Sequence, residues 1–512
     1  MVRVRMKRIL LALLALMPIL SSARAEVIKY RLYLKDKVGG SLCPLSQRSL
    51  ERRERQGIAV DSTDYSVSPV YLQQLADSGY HIDAVSRWLN TAVVSLPDSA
   101  GLDAARLLAL PFVDRIETAA TRLPAGAPAV RKWAERTEET RMAGAMATDD
   151  NFRTPVLEVN GQYLYEAGYW GQGMLVAVLD GGFLNADKHP QVGRKVVGWH
   201  DLYHPSDTAG VSLFGVQRHG AEVLSVMSAD SLSGVWGTAP EADYYLIVTE
   251  YNDTESPFEL DQWVAGVELA DSIGCDLVNS SLGYSRFDDA TLDIGKSQLG
   301  TGAIPSSAAA EMAADKGMIV VAAAGNERTG IWQTITSPAD MPGVVSVGAT
   351  DAEGKVSTFS SAGWLSPFVK PNVSARGTGA YVIMAETGLP GQANGTSFAS
   401  PFICGLMASL WSAAPQSTAK QIVRAVYESA VNYATPDSLL GYGFPDFEIA
   451  CRKVLEQGGE SDLEQVGIGQ DCRPRDDGET EVCFDLLGRR VADKGGKCHF
   501  LIQKGHKIKI IR

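Results

Sequence analysis

The chain has 512 residues, more than one ordinary core accommodates, so two or three folding units are expected. Hydrophobic residues at 45% and charged ones at 21% exclude a mostly disordered chain, and 50 glycines without a fixed period exclude a collagen-like one. Forty-seven Lys and Arg against 60 Asp and Glu give a net charge of −13, which repels phosphate backbones and argues against a nucleic-acid partner.

Residues 1–25, MVRVRMKRILLALLALMPILSSARA, hold a basic start, an apolar run over 9–20 and an Ala23-Arg24-Ala25 cleavage pattern. That is the layout of an export signal, and the apolar run is too short to span hydrocarbon. No later stretch reads as a transmembrane anchor, so the remainder is expected outside the cytoplasm, extracellular, periplasmic or at the cell surface.

Residues 26–118 read as a first unit. Strands are expected over 27–34, 88–96 and 112–117, the last at an edge, with helices over 68–80 and 102–110. Two helices among short strands suggest a small α+β sandwich of the split βαβ kind. The dense charges of SLERRERQ (49–56) read as a solvated helix face. Residues 119–154 change composition, are punctuated by Pro124, Gly126 and Pro128, and read as a linker.

From 155 to 456 strand and helix patterns alternate. Five near-continuous apolar runs (174–180, 243–249, 275–281, 318–325 and 343–349) are separated by helices such as 260–273 and 306–316. Strands apolar on both faces indicate a mostly parallel sheet sandwiched by helices, with chemistry at the carboxyl ends of the strands. Residues 457–484 form an acidic linker, and 485–512 a basic tail.

Three motifs fall where such a sheet places its chemistry. VAVLDGGF ends a strand on Asp180. RHGAEVLSVM opens a helical pattern on His219. NGTSFASP sets Ser397 at the start of an apolar helix, with Pro401 expected within its first turn. A hydroxyl at a positive helix end has donors nearby for an oxyanion. A fourth string, VVAAAGNE, puts Asn326 just past a buried strand, where its amide can donate to the same anion. Asp, His and Ser in this chain order form one of the known nucleophilic triads.

With these strings the sequence resembles the subtilase (subtilisin-like) serine protease family. VNSSLGY (278–284), GTAPEADYYLIVTE (237–250), FSSAGWLSPFVKPNVSARG (359–377) and GYGFPDFEIA (441–450) extend the likeness over most of 155–455. The resemblance implies a secreted endopeptidase in which Asp180 orients the histidine, His219 is general base then acid, and Ser397 is the nucleophile. Asn326 would supply an oxyanion donor beside the Ser397 backbone N–H. Ser281, Leu282 and Gly283 with Ala323, Ala324 and Gly325 would line the substrate pocket. Residues 26–118 look like the family's inhibitory propeptide, so polypeptide substrates and the chain's own propeptide are the expected partners. No cofactor is implied for catalysis. Calcium stabilises many subtilases, but no ligand string for it can be assigned. Two departures stand beside the triad: Gly-Gly-Phe after Asp180, and Gly-Ala-Glu after His219, where Gly-Thr-His is usual.

Other readings carry less. His200 and His204 are spaced like a helical metal pair, but Pro205 follows and suggests a loop. Gly171-Gln172-Gly173 precedes its strand, whereas a dinucleotide fingerprint follows one. A non-catalytic exported relative is the serious rival, and an intact Asp, His, Ser and Asn set argues against it. Cys275 and Cys404 read as buried thiols. Cys472, Cys483 and Cys498 leave one disulfide open without a pairing. The end of the chain partly resembles the C-terminal β-type sorting tails of some Gram-negative secreted proteins, with a hairpin near KIKI.

Overall fold

The computed structural model describes residues 28–96, 104–121, 141–142, 154–230, 236–251, 254–457, 483–484, 490–491, 500–503 and 507–510. The expected export signal, most of the linker and Cys472 and Cys498 lie outside them.

The first unit is a four-stranded antiparallel sheet of β1 (Lys29–Leu34), β2 (His81–Ser86), β3 (Thr91–Ser95) and β4 (Val113–Ala120), in the order β2-β3-β1-β4. Its own core gathers Leu32, Leu75, Val94 and Leu107. The helices are Gln47–Arg55, Pro69–Asp77 and Ala104–Leu108. β4 is an edge strand, as its sequence suggests, and β2 is an addition: its half-exposed polar mixture HIDAVS carries no clear alternation. The charged stretch 49–56 corrects the sequence reading. It is a helix, but Arg52 and Arg53 are fully buried against the second unit rather than solvated.

That second unit is built on a seven-stranded sheet. Its strands are β6 (Leu175–Asp180), β7 (Val196–Asp201), β8 (Asp243–Val248), β9 (Leu277–Ser280), β10 (Ile319–Ala323), β11 (Val344–Thr350) and β12 (Val373–Arg376). The order is β12-β11-β10-β9-β6-β8-β7 and every pair is parallel. Alternation explains the unbroken apolar runs. Val176 and Val178 of β6 face one core with Val223, Phe398 and Ile403, while Leu175, Ala177 and Leu179 face the other with Trp263, Val267 and Ala309. The helices His219–Ser228 and Thr396–Ala413 cover the first face, and Phe258–Ile273 and Pro305–Asp315 the second. Among the described residues no helix is long and apolar enough to cross a membrane.

A hairpin of β13 (Ala380–Ile383) and β14 (Pro390–Ala393) gains a third strand from the linker, β5 (Arg141–Met142), paired to β14. Near the C-terminus, Phe500–Gln503 pairs antiparallel with Lys507–Ile510, the hairpin its sequence suggests.

Candidate active site

The carboxyl ends of β6, β9 and β10 meet the starts of two helices, and every motif residue falls there. Asp180 is the last residue of β6 and is fully buried. Its Oδ1 accepts from the Gly181 N–H at 2.8 Å. His219 is the first residue of its helix and buried, with Nδ1 at 2.9 and 3.0 Å from the two Asp180 oxygens. Burial pulls the imidazole pKa down, but the Asp180 carboxylate, with the charges of Glu222 and Glu250 adding to it, more than offsets this and raises it above the ordinary histidine value. Gly220 makes the approach feasible: a Cβ there would meet the Gly182 carbonyl oxygen at 2.4 Å and Asp180 Cβ at 2.8 Å. The glycine after the histidine is therefore a packing requirement of the pair.

Ser397 is the second residue of the helix Thr396–Ala413 and is fully buried. Its Oγ lies 3.4 Å from the Ser281 carbonyl oxygen. His219 Nε2 has no hydrogen-bond partner among the described residues. The serine–histidine bond expected of a triad is therefore not formed in this state, in which Oγ leans toward β9. Catalytic hydrogen bonds often tighten only with substrate in place.

Pro401 corrects the sequence reading, because it lies beyond the first turn, inside the helix. Its missing N–H leaves the Ser397 carbonyl without its i+4 donor. Ser281 Oγ takes that place and donates to the Ser397 oxygen at 2.8 Å. Asn279 Nδ2 in turn donates to Ser281 Oγ at 3.1 Å, and Ser400 Oγ to Asn279 Oδ1 at 2.9 Å. The proline thus ties the Ser397 peptide to the residue just past the strand beside it.

Asn326 is oriented by Thr396, a residue the sequence reading passed over although it stands next to Ser397. Asn326 Oδ1 accepts from both the Thr396 N–H and its Oγ–H at 2.9 Å. A backbone N–H can only donate, so the oxygen of the amide must face the helix and Nδ2 must face away. Nδ2 is buried and has no partner among the described residues. Thr396 Oγ1 also accepts from the Gly325 N–H at 3.2 Å.

The remaining wall residues converge on the same place. Leu282, Ala323 and Ala324 are fully buried, and Gly283 leads into Tyr284, whose N–H donates to the Ser337 carbonyl at 2.8 Å. Gly325 has φ +120°, and a Cβ there would meet Ser361 Oγ at 2.5 Å, so this wall requires glycine. Glu222, marked in the sequence only as a departure after His219, stands one turn along from it, and burial pushes its carboxyl pKa up to about 7. His200 lies on the edge strand β7, and His204 in the following turn, its Nδ1 at 3.0 Å from Asp201 Oδ2. The two are thus not on a helix. Cys275 and Cys404 are buried free thiols.

Comparison with known proteins agrees with this geometry. The profile of the Subtilase family matches residues 171–443, more than half of the chain, and that of the Peptidase S8 propeptide domain, Bacteroidota, matches residues 29–136. Subtilisin E of Bacillus subtilis (strain 168) is 29% identical over 299 residues, covering 58% of this chain and 70% of its own. Subtilisin of Bacillus pumilus is 29% identical over 299 residues, which is 98% of that protein, and subtilisin DY of Bacillus licheniformis 31% over 269 residues, 86% of it. The chain belongs to the subtilase family, a subtilisin-type serine endopeptidase that carries its own propeptide domain.

Proposed function

We propose that Ser397 attacks the carbonyl carbon of a peptide bond while His219 Nε2 takes its proton, with Asp180 holding Nδ1 and favouring the imidazolium that forms. The carbonyl oxygen becomes an anion and receives donors from Asn326 Nδ2 and the Ser397 N–H, which at the second helical position has no intrahelical acceptor. His219 then returns the proton to the leaving amine, and water releases the acyl group by the reverse steps. The mechanism draws on protein groups alone. The observation that carries it is the pair of open positions, His219 Nε2 and Asn326 Nδ2, on side chains whose other ends are fixed at 2.9 Å.

The division of the chain follows. Residues 1–25 direct export, 26–118 form the inhibitory propeptide and 155–456 the enzyme, with processing in the linker 119–154. The acidic stretch 457–484 leads to a basic tail, 485–512, for which a sorting segment and a plain basic tail both stand as readings. Segment 112–117 pairs with β1 inside the propeptide sheet, and just past β4 the Thr121 Oγ donates to Asp289 of the second unit at 2.6 Å.

A fluorophosphonate probe tests the central claim. The processed protein should be labelled at Ser397, and Ser397→Ala should be unlabelled and remain at precursor length. A secreted wild type that stays unlabelled would favour the non-catalytic relative. A Ser397→Ala protein with the wild-type mature N-terminus would assign processing to another protease.

A further inference from the structure

The helix Gln47–Arg55 of the first unit takes no part in the chemistry above, yet it is bonded to the second unit from end to end. Its contacts fall at the amino ends of three neighbouring strands, β6, β9 and β10, whereas Asp180 closes β6 at the carboxyl end. Arg48 Nη2 donates to the Gly173 carbonyl, two residues before β6, at 2.6 Å, and to the Asp276 carboxylate. Its Nε donates to the Gly274 carbonyl at 2.9 Å. Asp276, just before β9, also accepts from the Leu175 N–H that opens β6, at 3.0 Å. Arg52 Nη1 donates to the Cys275 carbonyl. Gln56, which caps the helix, donates from Nε2 to the Gly317 carbonyl, two residues before β10, at 2.7 Å. Its Oε1 accepts from the Ala419 N–H at 2.8 Å.

The spacing makes this a site rather than a scatter of contacts. Residues 48, 52 and 56 recur every four positions, so they share one face and rise about 6 Å at each step. Adjacent strands lie about 4.8 Å apart. A helix laid across the strand starts therefore offers one long polar side chain to each, and each reaches a main-chain carbonyl just outside its strand. Gly274 permits the close approach: a Cβ there would meet the Ser49 backbone nitrogen at 2.7 Å. From Gly173 to Asp180 the chain runs about 20 Å along β6, so these contacts ask nothing of the residues around Ser397. We propose that the amino ends of β6, β9 and β10 form a second propeptide-binding site, fitted to a helix carrying Arg, Arg and Gln at successive turns. It holds the propeptide on the enzyme after the linker is cut, without help from the cleft. This rests on the propeptide role given to residues 26–118 and adds a docking surface that the substrate cleft does not share.

The test uses the full chain with Ser397→Ala, which cannot digest itself, and with the recognition sequence of an unrelated site-specific protease inserted after Thr121. Cutting there leaves the propeptide nothing beyond Thr121 to place in the cleft. In size-exclusion chromatography at micromolar concentration the propeptide should still travel with the enzyme. Arg48→Ala should raise the dissociation constant of the cut complex about tenfold, and Gln56→Ala about threefold to tenfold. Both side chains lie outside the propeptide's own core of Leu32, Leu75, Val94 and Leu107, so that unit keeps its fold. A second variant, on the enzyme, reads the pairing itself. Asp276→Asn retains an oxygen for the Leu175 N–H; it should weaken the parent complex about threefold or more and the Arg48→Ala complex hardly at all. A propeptide that parts from the enzyme once the linker is cut would overturn the site. Equal retention in the Arg48 and Gln56 variants, or an Asp276→Asn loss undiminished by Arg48→Ala, would do the same. Every sample carries Ser397→Ala, so these outcomes are independent of the serine chemistry, which fluorophosphonate labelling of the wild type reads.

Discussion

Two regions of this molecule bury charge, and they treat it in opposite ways. Where the propeptide meets the helix Phe258–Ile273, nearly every buried charge faces another. The Asp271 carboxylate alone accepts from Arg52 at 2.5 Å, Arg53 at 2.6 Å and Arg87 at 3.1 Å. Asp64 takes both terminal nitrogens of Arg53 and Lys316 Nζ at 3.1 Å. Arg31 grips Asp261 through two bonds of 2.6 Å. At the edge of the large sheet that carries Asp180 and His219, that one ion pair is kept, while the other polar ends, His219 Nε2 and Asn326 Nδ2, have no partner among the described residues. Paired charges hold a shape, whereas open donors and acceptors wait for a substrate. Cutting one pairing at the first region should therefore change binding, and removing one open group at the second should change turnover.

The largest effect belongs to the shared carboxylate. Asp271→Asn in the enzyme leaves three arginines of the docked propeptide facing a neutral amide. Removing one partner of a buried ionic cluster costs about 3–5 kcal/mol, or about 10²–10⁴ in affinity. Titrating the processed variant with residues 26–118 as a separate chain should show inhibition weaker by that factor, with its own turnover kept. Inhibition as tight as wild type would mean that contacts other than the arginine face set affinity.

Asn326→Ala probes the other kind of site. A donor aimed at the developing oxyanion stabilises the transition state more than the bound substrate. The variant should lose about 10²–10³ in kcat with KM little changed, the size found on removing such a donor from a subtilisin. A loss confined to KM would make Asn326 a binding residue and close the contrast between the regions.

The two regions also differed in how far they could be read in the sequence. The inner strands were legible because both faces are covered, so β6, β8, β9, β10 and β11 are apolar without interruption. The edge strand β7 alternates with exposed positions, and β12 is four residues long after a proline-rich turn, so neither gave a period. Asp180, His219, Ser397 and Asn326 were visible because each sits at a strand end or helix start that local pattern marks. What Thr396, Ser281 and Pro401 do depends on partners far along the chain. Arg52 and Arg53 failed for the same reason. Nothing local in SLERRERQ says that a carboxylate 219 residues away will bury it.

Glu222 sharpens the comparison at its weakest point, because it is a buried carboxyl of neither kind. Its Oε1 has no partner among the described residues, and burial raises its pKa from 4.5 to about 7 against the opposing pull of Arg218 and His219. A carboxyl whose pKa is higher in the folded state binds its proton more tightly there. The stability this contributes is full below about 4.5, the unfolded value, and is lost as pH rises through about 7. Glu222→Gln keeps the shape without the ionisation. In a Ser397→Ala background, which prevents self-digestion, it should gain about 1–3 kcal/mol in denaturant unfolding at pH 8 and little at pH 5. In the active enzyme the same change removes a negative charge that helps raise the His219 pKa. The acid limb of kcat/KM should then move to lower pH, because the neutral imidazole persists further down. An equal stability gain at both pH values with an unmoved acid limb would mean that Glu222 is packed beside the triad and electrically silent.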